Sequence, residues 1–296
     1  MRIVSLLPST TEILFGIGAG ADVVGVTFEC DYPPQARTRR IVSTSAIPEG
    51  LSPREIDAHV TRAVAAGEDL YHLDAGALAD LDADLVVTQD LCAVCAVDVS
   101  VVDDALAYLG CRAEVLTIDP HSLEEVLQSV LRLGEATGHR PEAAAAVEDL
   151  RKRLYAVRLA VAGRTPPRAL VLEWSDPPFA PGHWVPEMVE AAGGTSALGR
   201  AGARSERTTW AEVSAAEPEV VVVAPCGYGL DDSICLAQKA IDAGRLPPGI
   251  PVWAVDANAS FARPGPRLVD GVEALAGILH PGAAAAPHPA IARRVR

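Results

Sequence analysis

The segment Leu85-Val86-Val87-Thr88-Gln89-Asp90-Leu91-Cys92-Ala93-Val94-Cys95 joins an apolar run to a Cys-x-x-Cys pair. Residues 85–87 are mostly β-branched and lie between a turn-like Asp-Ala-Asp and a polar stop, which predicts a buried strand. The cysteines then follow the carboxyl end of that strand, the edge at which open α/β sheets bind ligands. Such a pair is typical of a redox site, half of a metal site or two small core residues, and spacing alone does not decide among them.

Two other cysteines, Cys30 and Cys226, follow predicted strands in the same way. If these strand ends face one another, four thiolates meet, a set that suits tetrahedral zinc or an iron–sulfur cluster. We therefore predict one metal site with the ligands Cys30, Cys92, Cys95 and Cys226. The alternative is that they are small buried residues, or a redox pair with two separate thiols. Cys111, before a strand, and Cys235, inside a helix, are predicted to be core residues.

Bulk properties exclude several classes of function. The chain has 296 residues, of which 49% are hydrophobic, enough for two modest α/β lobes. Its formal net charge of −14 argues against nucleic acid as a partner. No apolar run is long enough to span a membrane, and Met1-Arg2 leads directly into a predicted strand rather than a signal peptide. We therefore expect a cytoplasmic protein without membrane insertion.

Short apolar runs alternate with helical patterns on both sides of a long helical segment. The predicted strands include residues 3–6, 23–26, 85–87, 114–118, 169–173, 220–223 and 252–255. The helical segment is far longer than an ordinary connection between a helix and a strand. We predict an α/β fold with an N-terminal lobe (1–120), a rigid helical connector (121–163), a C-terminal lobe (164–280) and a disordered Ala/Pro-rich tail (281–296).

Six motifs distinguish this chain from a generic α/β protein. They are Ser-Leu-Leu-Pro-Ser-Thr-Thr-Glu-Ile-Leu at 5–14, Glu-Cys-Asp-Tyr-Pro at 29–33, Asp-Leu-Cys-Ala-Val-Cys at 90–95, Gly-His-Trp at 182–184, Pro-Cys-Gly at 225–227 and Asn-x-x-x-x-Arg-Pro-Gly-Pro-Arg at 258–267. With the two lobes and the connector, they resemble the helical-backbone class of ABC-importer substrate-binding proteins. The resemblance is greatest to cobalamin-binding and iron-siderophore-binding members, in the branch without a signal sequence.

The resemblance implies two Rossmann-like lobes with a ligand cleft between them, lined by loops at the strand ends. It also implies a corrinoid (cobalamin-like) or similar metal-bearing small molecule as the ligand. An ABC importer is the partner of this class. However, a cytoplasmic protein without an export signal cannot deliver a ligand to an importer from outside the cell.

Candidate ligand-binding residues in the N-terminal lobe are polar. Ser9 and Thr10 open a helix and are placed to contact an anion, although Ser9 and Glu12 also form a capping-box pattern that needs no ligand. Glu29 flanks Cys30 and is either an acid that orients a metal ligand or a solvated side chain.

In the C-terminal lobe the candidates follow strands or begin helices. Glu173, His183 and Trp184 share a proline-rich loop, where His183 is a ligand to a metal, a hydrogen-bonding partner or a surface residue. Trp184, with Tyr228 and Phe261, is predicted to form a flat apolar wall for a macrocycle.

The Asn258 motif contains two arginines, Arg263 and Arg267, at a predicted helix start, which suits a carboxylate or phosphate. Helix-entry arginines in a salt bridge are the alternative.

The predicted function is therefore a cleft-type binding protein for a corrinoid, with a four-cysteine metal or iron–sulfur site. The alternative is an intracellular iron–sulfur or zinc metalloenzyme or sensor that reuses the same scaffold. A thiol redox protein is a weaker reading, because the next helix is predicted to begin after Cys95 rather than at the first cysteine. The sequence has no glycine-rich phosphate loop and no hydrolase elbow, so whether it catalyses any reaction stays open.

Overall fold

The computed structural model describes residues 1–89, 102 and 113–296 and divides the chain into two compact units. The first unit contains residues 1–120 and 127–147, and the second contains residues 121–126 and 148–296. Each unit has its own sheet, so the two predicted α/β lobes are confirmed. The predicted connector differs in one respect, because its residues are shared between the two units.

The first unit is built on a six-stranded sheet in the order β4-β3-β2-β1-β5-β6. The strands are β1 (Ile3–Ser5), β2 (Val23–Thr27), β3 (Arg40–Ser45), β4 (Tyr71–Leu73), β5 (Leu85–Thr88) and β6 (Glu114–Thr117). All neighbouring pairs are parallel except β3 with β4. The central strands β1 and β5 are buried along their whole length, as expected for a parallel sheet covered on both faces.

Helices α1 (Pro8–Gly16), α2 (Pro53–Ala66) and α3 (Ala75–Ala79) lie within residues 1–89 of the first unit. The predicted proline start of α2 is confirmed, and Ser52 with Glu55 forms a capping box there. The start of α1 differs from the prediction. Leu7 is its N-cap, whereas Ser9 lies buried inside the first turn.

Two helices form the connector, α4 (Leu123–Ala136) and α5 (Arg140–Ala160). In α4 the residues Val126, Leu127, Val130 and Leu133 are buried, with the three- and four-residue spacing of an amphipathic helix. The helices are separated near Gly138, which has a positive φ of 76°. This confirms the long helical connector predicted from the sequence.

The second unit has a five-stranded sheet in the order β10-β7-β12-β13-β14 and a three-stranded sheet in the order β11-β9-β8. The strands are β7 (Arg168–Leu172), β8 (Trp174–Ser175), β9 (Pro178–Ala180), β10 (Thr195–Ser196), β11 (Glu206–Arg207), β12 (Val220–Val223), β13 (Val252–Val255) and β14 (Ala292–Arg294). Strand β12 consists of four buried valines, and it pairs in parallel with both β7 and β13. Branched side chains of this kind fill a sheet that is buried on both faces.

The described helices of the second unit are α6 (Val185–Ala191), α7 (Trp210–Ala215), α8 (Leu230–Asp242), α9 (Ala257–Ser260) and α10 (Leu268–Leu279). In the part of the chain that the structure describes, no helix combines the length and the apolar composition needed to cross a membrane.

The carboxyl-terminal tail differs from the predicted disorder. Strand β14 pairs antiparallel with β13. Arg296 fixes the end of the chain by donating hydrogen bonds to the carbonyls of Ile250 (3.1 Å) and Pro247 (2.5 Å). The Ala/Pro-rich composition indicates disorder only locally, and the strand depends on a partner that is distant in sequence.

Arg153 joins α5 to α10 through two carboxylates. Its guanidinium donates hydrogen bonds to Glu273 at 2.9 and 2.7 Å and to Asp270 at 2.5 Å. The charged side chains are 30–42% exposed, so solvent screens part of this attraction.

We expect Arg153→Ala to lower the free energy of unfolding by about 1–2 kcal/mol, because two carboxylates lose a shared partner. Thermal unfolding measures the effect. The control is Arg151→Ala, which removes a more exposed pair with Glu124 and should change stability by less than about 0.5 kcal/mol. Equal losses of unfolding free energy in the two variants would contradict the conclusion that the Arg153 contacts stabilise the fold more than the exposed Arg151 pair does.

Candidate ligand-binding site

The second unit brings three strand-end loops together. Strands β7, β12 and β13 are neighbours and run parallel, so their carboxyl ends share one edge of the sheet. Backbone hydrogen bonds connect the loops: Cys226 N–H donates to the carbonyl of Glu173 at 3.0 Å, and Asn258 N–H donates to that of Tyr228 at 3.2 Å. Parallel α/β sheets bind ligands at this edge. The predicted residues Glu173, Cys226, Tyr228 and Asn258 are therefore positioned together.

Two aromatic rings meet at this edge. Trp174, which follows β7, and Tyr228, which follows β12, have ring centroids 5.5 Å apart with an interplanar angle of 54°. Both side chains are partly exposed. The indole N–H of Trp174 donates to the carbonyl of Asp176 at 3.2 Å, which orients the ring. The pair offers a preorganised apolar surface with little rotamer entropy left to lose.

Glu173 holds two other loops with its carboxylate. Its Oε1 accepts a hydrogen bond from the backbone N–H of Gly182 at 3.2 Å, and its Oε2 accepts one from the hydroxyl of Ser205. Burial raises the pKa of Glu173 to about 7, and these two hydrogen bonds act in the opposite direction. The predicted ligand-binding role of Glu173 is untested, whereas its role in holding the loops is directly visible.

A loop of residues 199–205, which we call the clasp loop, is fastened against the turn that contains Gly182 and His183. His183 N–H donates to the carbonyl of Ala203 at 2.6 Å, and Gly202 N–H donates back to that of His183 at 2.9 Å. Gly182 is required by this packing, because a Cβ there would lie 2.4–2.6 Å from backbone atoms of residues 203–205. The clasp loop therefore has one fixed backbone arrangement at this point.

His183 has an unusual environment. Its φ is +48°, and its Nε2 is buried without a hydrogen-bond partner among the described residues. Its ring lies between those of His121 and Trp184, at centroid distances of 6.1 and 5.5 Å. Burial lowers the pKa of His183, and the nearby His121 and Arg204 lower it further. The imidazole is therefore held neutral at pH 7 and has an unused polar atom.

Two members of the predicted aromatic wall are core residues instead. Trp184 and Phe261 are only 5% and 2% exposed, and the Trp184 indole N–H donates to the Phe261 carbonyl at 2.8 Å. The prediction of a wall from Trp184, Tyr228 and Phe261 was therefore wrong for two of the three. Position after a strand therefore did not imply exposure.

Arg263 and Arg267 lie where the sequence predicts, on either side of the turn before α10. Arg267 is the N-cap residue of that helix, and both side chains are partly buried. Their predicted role in binding an anion stays a prediction.

In the first unit, the hydroxyls at the start of α1 are used inside the fold. Thr10 is fully buried, and its Oγ1 lies 2.7 Å from Ser5 Oγ and donates to the carbonyl of Leu7 at 3.2 Å. Ser9 is 2% exposed. The prediction that these residues face an anion is contradicted, because their side chains point into the protein.

Aromatic residues follow β2 in the first unit. Phe28 and Tyr32 are 38% and 46% exposed, and the Phe28 ring lies 6.0 Å from that of Tyr71. The predicted ligand residue Glu29 accepts a hydrogen bond from the Tyr71 hydroxyl at 3.2 Å. A partly exposed aromatic surface therefore follows a central strand in this unit as well.

The cysteines only partly match the prediction. Cys30 is buried, with its Sγ 3.0 Å from Thr11 Oγ1, and Cys226 is exposed after β12. Cys92, Cys95 and Cys111 lie outside the described residues. Among the residues that are described, no three His, Cys, Asp or Glu side chains form a group suited to a metal ion. Cys235 is exposed on α8, so its prediction as a core residue was wrong.

A family model for periplasmic binding proteins matches residues 3–241 of the chain. This chain belongs to the periplasmic binding protein family. The match covers both units, in agreement with the resemblance seen in the motifs.

Curated relatives of this family member are distant but nearly full length. An uncharacterized ABC transporter substrate-binding lipoprotein of Bacillus subtilis, YvrC, is 24% identical over 95% of this chain and 80% of its own length. The vitamin B12-binding protein of Yersinia pestis is 25% identical over 90% of this chain and 82% of its own length.

Solved structures show the same fold. The periplasmic vitamin B12 binding protein BtuF of Vibrio cholerae has a TM-score of 0.66 at 21% identity, covering 94% of this chain and 96% of its own. A periplasmic heme binding protein of Pseudomonas aeruginosa has a TM-score of 0.72 at 20% identity, covering 99% and 97%.

Sequence reasoning missed several residues in the strand-end loops of each unit and in the surroundings of His183. Trp174, Phe28 and Tyr32 each directly follow or closely succeed a strand, so position together with residue type was a usable signal. His121 and Arg204 had none, because their place beside His183 depends on chain segments that are far apart in sequence.

We expect Glu173→Gln to stabilise the protein at pH 8 by about 1–3 kcal/mol and to have little effect at pH 5. The folded-state pKa of about 7 exceeds the ordinary 4.5, so the folded state binds more protons and wild-type stability falls as the pH rises through that window. Glutamine accepts from Gly182 and donates to Ser205, as protonated glutamic acid would.

Melting midpoints at pH 5 and pH 8 measure this effect. The matched control is Glu206→Gln, whose carboxylate is 72% exposed and should leave the pH dependence unchanged. An unaltered pH dependence in Glu173→Gln would show that this carboxylate is ionised throughout.

Proposed function

We propose that this periplasmic binding protein family member binds a metal-bearing tetrapyrrole, with cobalamin (vitamin B12) as the first candidate. The observation that carries the proposal is the Trp174–Tyr228 pair at the carboxyl edge of the second unit's sheet. Relatives whose names state a ligand support it, because they bind vitamin B12 or heme.

The chemistry of the edge fits such a ligand. A corrin or porphyrin ring presents a broad apolar face, and large aromatic side chains contribute most of the contact energy at such faces. The Trp174 indole is hydrogen-bonded, the backbone of Tyr228 is held by its own hydrogen bonds and the two rings contact each other, so binding has little left to order. Phe28 and Tyr32 supply a second exposed aromatic surface within the first unit.

The polar groups around the rings supply orientation. The half-buried Asn258, Arg263 and Arg267 follow β13 or begin α10, and we propose that they contact the polar periphery of the ligand. A ligand cleft between the two lobes, which the sequence resemblance implies, stays a prediction.

We expect the protein to bind aquocobalamin and Trp174→Ala to weaken the binding by about tenfold, since a buried aromatic contact contributes roughly 1–2 kcal/mol. Tyr228→Ala should have a similar effect. Calorimetric titration of the purified protein measures both. Hemin, titrated in parallel, decides between a corrin and a porphyrin ring.

Tyr155→Ala is the matched control, because Tyr155 is 60% exposed on α5 and belongs to no strand-end loop. Its affinity should equal that of the wild type. Failure to bind aquocobalamin and hemin up to high micromolar concentration would overturn the proposed function.

We further propose an ABC transporter as the partner, because YvrC carries that assignment in its name. The cytoplasmic location expected from the sequence conflicts with capture outside the membrane. Fractionation of cells that express the natural gene tests the two alternatives, since only an exported protein can supply an importer.

The four-cysteine site stays a prediction within this function. Cys226 is favourable for it, since its side chain is exposed beside the aromatic pair. Cys30 is less so, because it is 4% exposed and lies in contact with Thr11. The metalloenzyme or sensor alternative depends on the same four thiols and has no further support in the described residues.

If the site exists, Cys226→Ser should remove most bound zinc or iron, because a thiolate ligand is lost. Elemental analysis of anaerobically purified protein measures the content. Cys235→Ser is the control, since its thiol is exposed on a helix and is not among the predicted ligands. A wild-type protein without stoichiometric metal, or a Cys226→Ser variant with full content, would reject the site.

A further inference from the structure

A role in stabilising the fold does not explain the geometry of the cluster formed by His183, His121 and Arg204. His183 is anchored by its backbone on both sides, through Ala203 and Gly202, and its ring is held between two others. Despite this anchoring, its Nε2 is buried without a partner in the described part of the chain. Buried polar atoms nearly always have a hydrogen-bond partner, so an unused one indicates a group that is still to bind.

The charges around His183 show what kind of group would fit. The two neighbours whose electrostatic effect lowers the pKa of His183, His121 and Arg204, are both basic side chains. Both are exposed, so the cluster is open to solvent beyond the ring of His183.

Three of the carboxylates near this cluster accept hydrogen bonds from backbone groups or a hydroxyl. Glu125 accepts from His121 N–H at 2.6 Å, Glu187 accepts from Leu123 N–H at 2.6 Å, and Glu173 accepts from Gly182 and Ser205. These contacts place each of the three acids on a partner other than the imidazole of His183.

From this arrangement we infer that His183, His121 and Arg204 form an oxyanion subsite, which takes a carboxylate or phosphate group of the bound ligand. This inference rests on the proposed function, since the group belongs to the same ligand. His183 Nε2–H and the Arg204 guanidinium donate to the oxyanion, and the exposed His121 ring moves aside to admit it. A metal cation is disfavoured here by the same positive neighbours.

Binding of an oxyanion is then linked to protons. The free protein keeps His183 neutral, whereas an adjacent negative charge stabilises the imidazolium and raises its pKa. The complex therefore takes up a proton, and affinity rises as the pH falls towards 6. Glu173 titrates in the same range, so the comparison must separate its effect from that of His183.

Pairs of ligands with and without an oxyanion provide this separation, the second member being neutral at that position. Cobalamin contains a phosphodiester that cobinamide lacks, and hemin contains carboxylates that its dimethyl ester lacks. Calorimetric titrations at pH 6 and pH 8 should show pH-dependent affinity for one oxyanion-bearing ligand and little dependence for its neutral counterpart. Effects that come from the protein alone, including titration of Glu173, cancel within each pair.

Arg204→Gln should weaken binding of the oxyanion-bearing ligand by about tenfold, the size expected for one hydrogen bond to a charged group. Binding of the neutral counterpart should not change. Arg200→Gln is the matched control, because Arg200 is 78% exposed on the same clasp loop and lies 3.9 Å from Glu206. His183→Asn tests the imidazole with a residue that tolerates positive φ, and Arg204→Gln remains decisive if that variant does not fold.

A response of cobalamin alone identifies a phosphate as the bound group, and a response of hemin alone identifies a carboxylate. Equal loss for the oxyanion-bearing ligand and its neutral counterpart would overturn the subsite and leave the proposed function standing. So would an unchanged affinity in both Arg204→Gln and His183→Asn. Absence of binding by all four ligands would overturn both.

Discussion

The carboxylate of Glu173 is the interaction on which the candidate site depends. Through Gly182 and Ser205 it ties the end of β7 to the turn before α6 and to the clasp loop. Burial makes its ionised form unfavourable, yet an apolar replacement would leave the Gly182 N–H without an acceptor. The same residue joins the aromatic edge to the His183 cluster, because Trp174 follows it directly and its own carbonyl accepts from Cys226. The geometry of the aromatic edge and that of the His183 cluster therefore both depend on the carboxylate of Glu173.

Much of the fold could be predicted from the sequence because it depends on local patterns. Runs such as Val220–Val223 are short, β-branched and bounded by turns, so they are strands in almost any context. The long helical segment was equally clear, because it is far longer than an ordinary connection between a helix and a strand. Features that depend on partners distant in sequence could not be predicted from these local patterns. Strand β14 needs β13 as its partner, and no composition rule carries that information.

The candidate site likewise has features that local sequence determines and features that depend on distant parts of the chain. Position after a strand correctly brought Glu173, Tyr228 and Asn258 to one edge, because parallel strands align their carboxyl ends. Side-chain direction was not determined by position. Trp184 and Phe261 are buried, and the Trp184 indole donates a hydrogen bond to the Phe261 carbonyl. Ser9 and Thr10 lie in the first turn of α1 and face the core. A loop that folds back over a sheet reverses which residues face solvent, and that reversal depends on packing across the whole unit.

Affinity and specificity have separate physical sources in this arrangement. Aromatic surfaces such as Trp174 and Tyr228 favour many flat ligands, since their energy scales with apolar contact and depends little on chemical detail. A buried imidazole without a partner behaves differently. A ligand that has no hydrogen-bonding group at this position leaves Nε2 of His183 unsatisfied. The free-energy cost of that unsatisfied atom lowers the affinity for such a ligand only. Solved structures with this fold include a vitamin B12 binding protein and a heme binding protein, which are 21% and 20% identical to this chain. Discrimination within such a scaffold is therefore expected from a few anchored polar groups, and His183 is one of them, because the clasp loop holds its backbone on both sides.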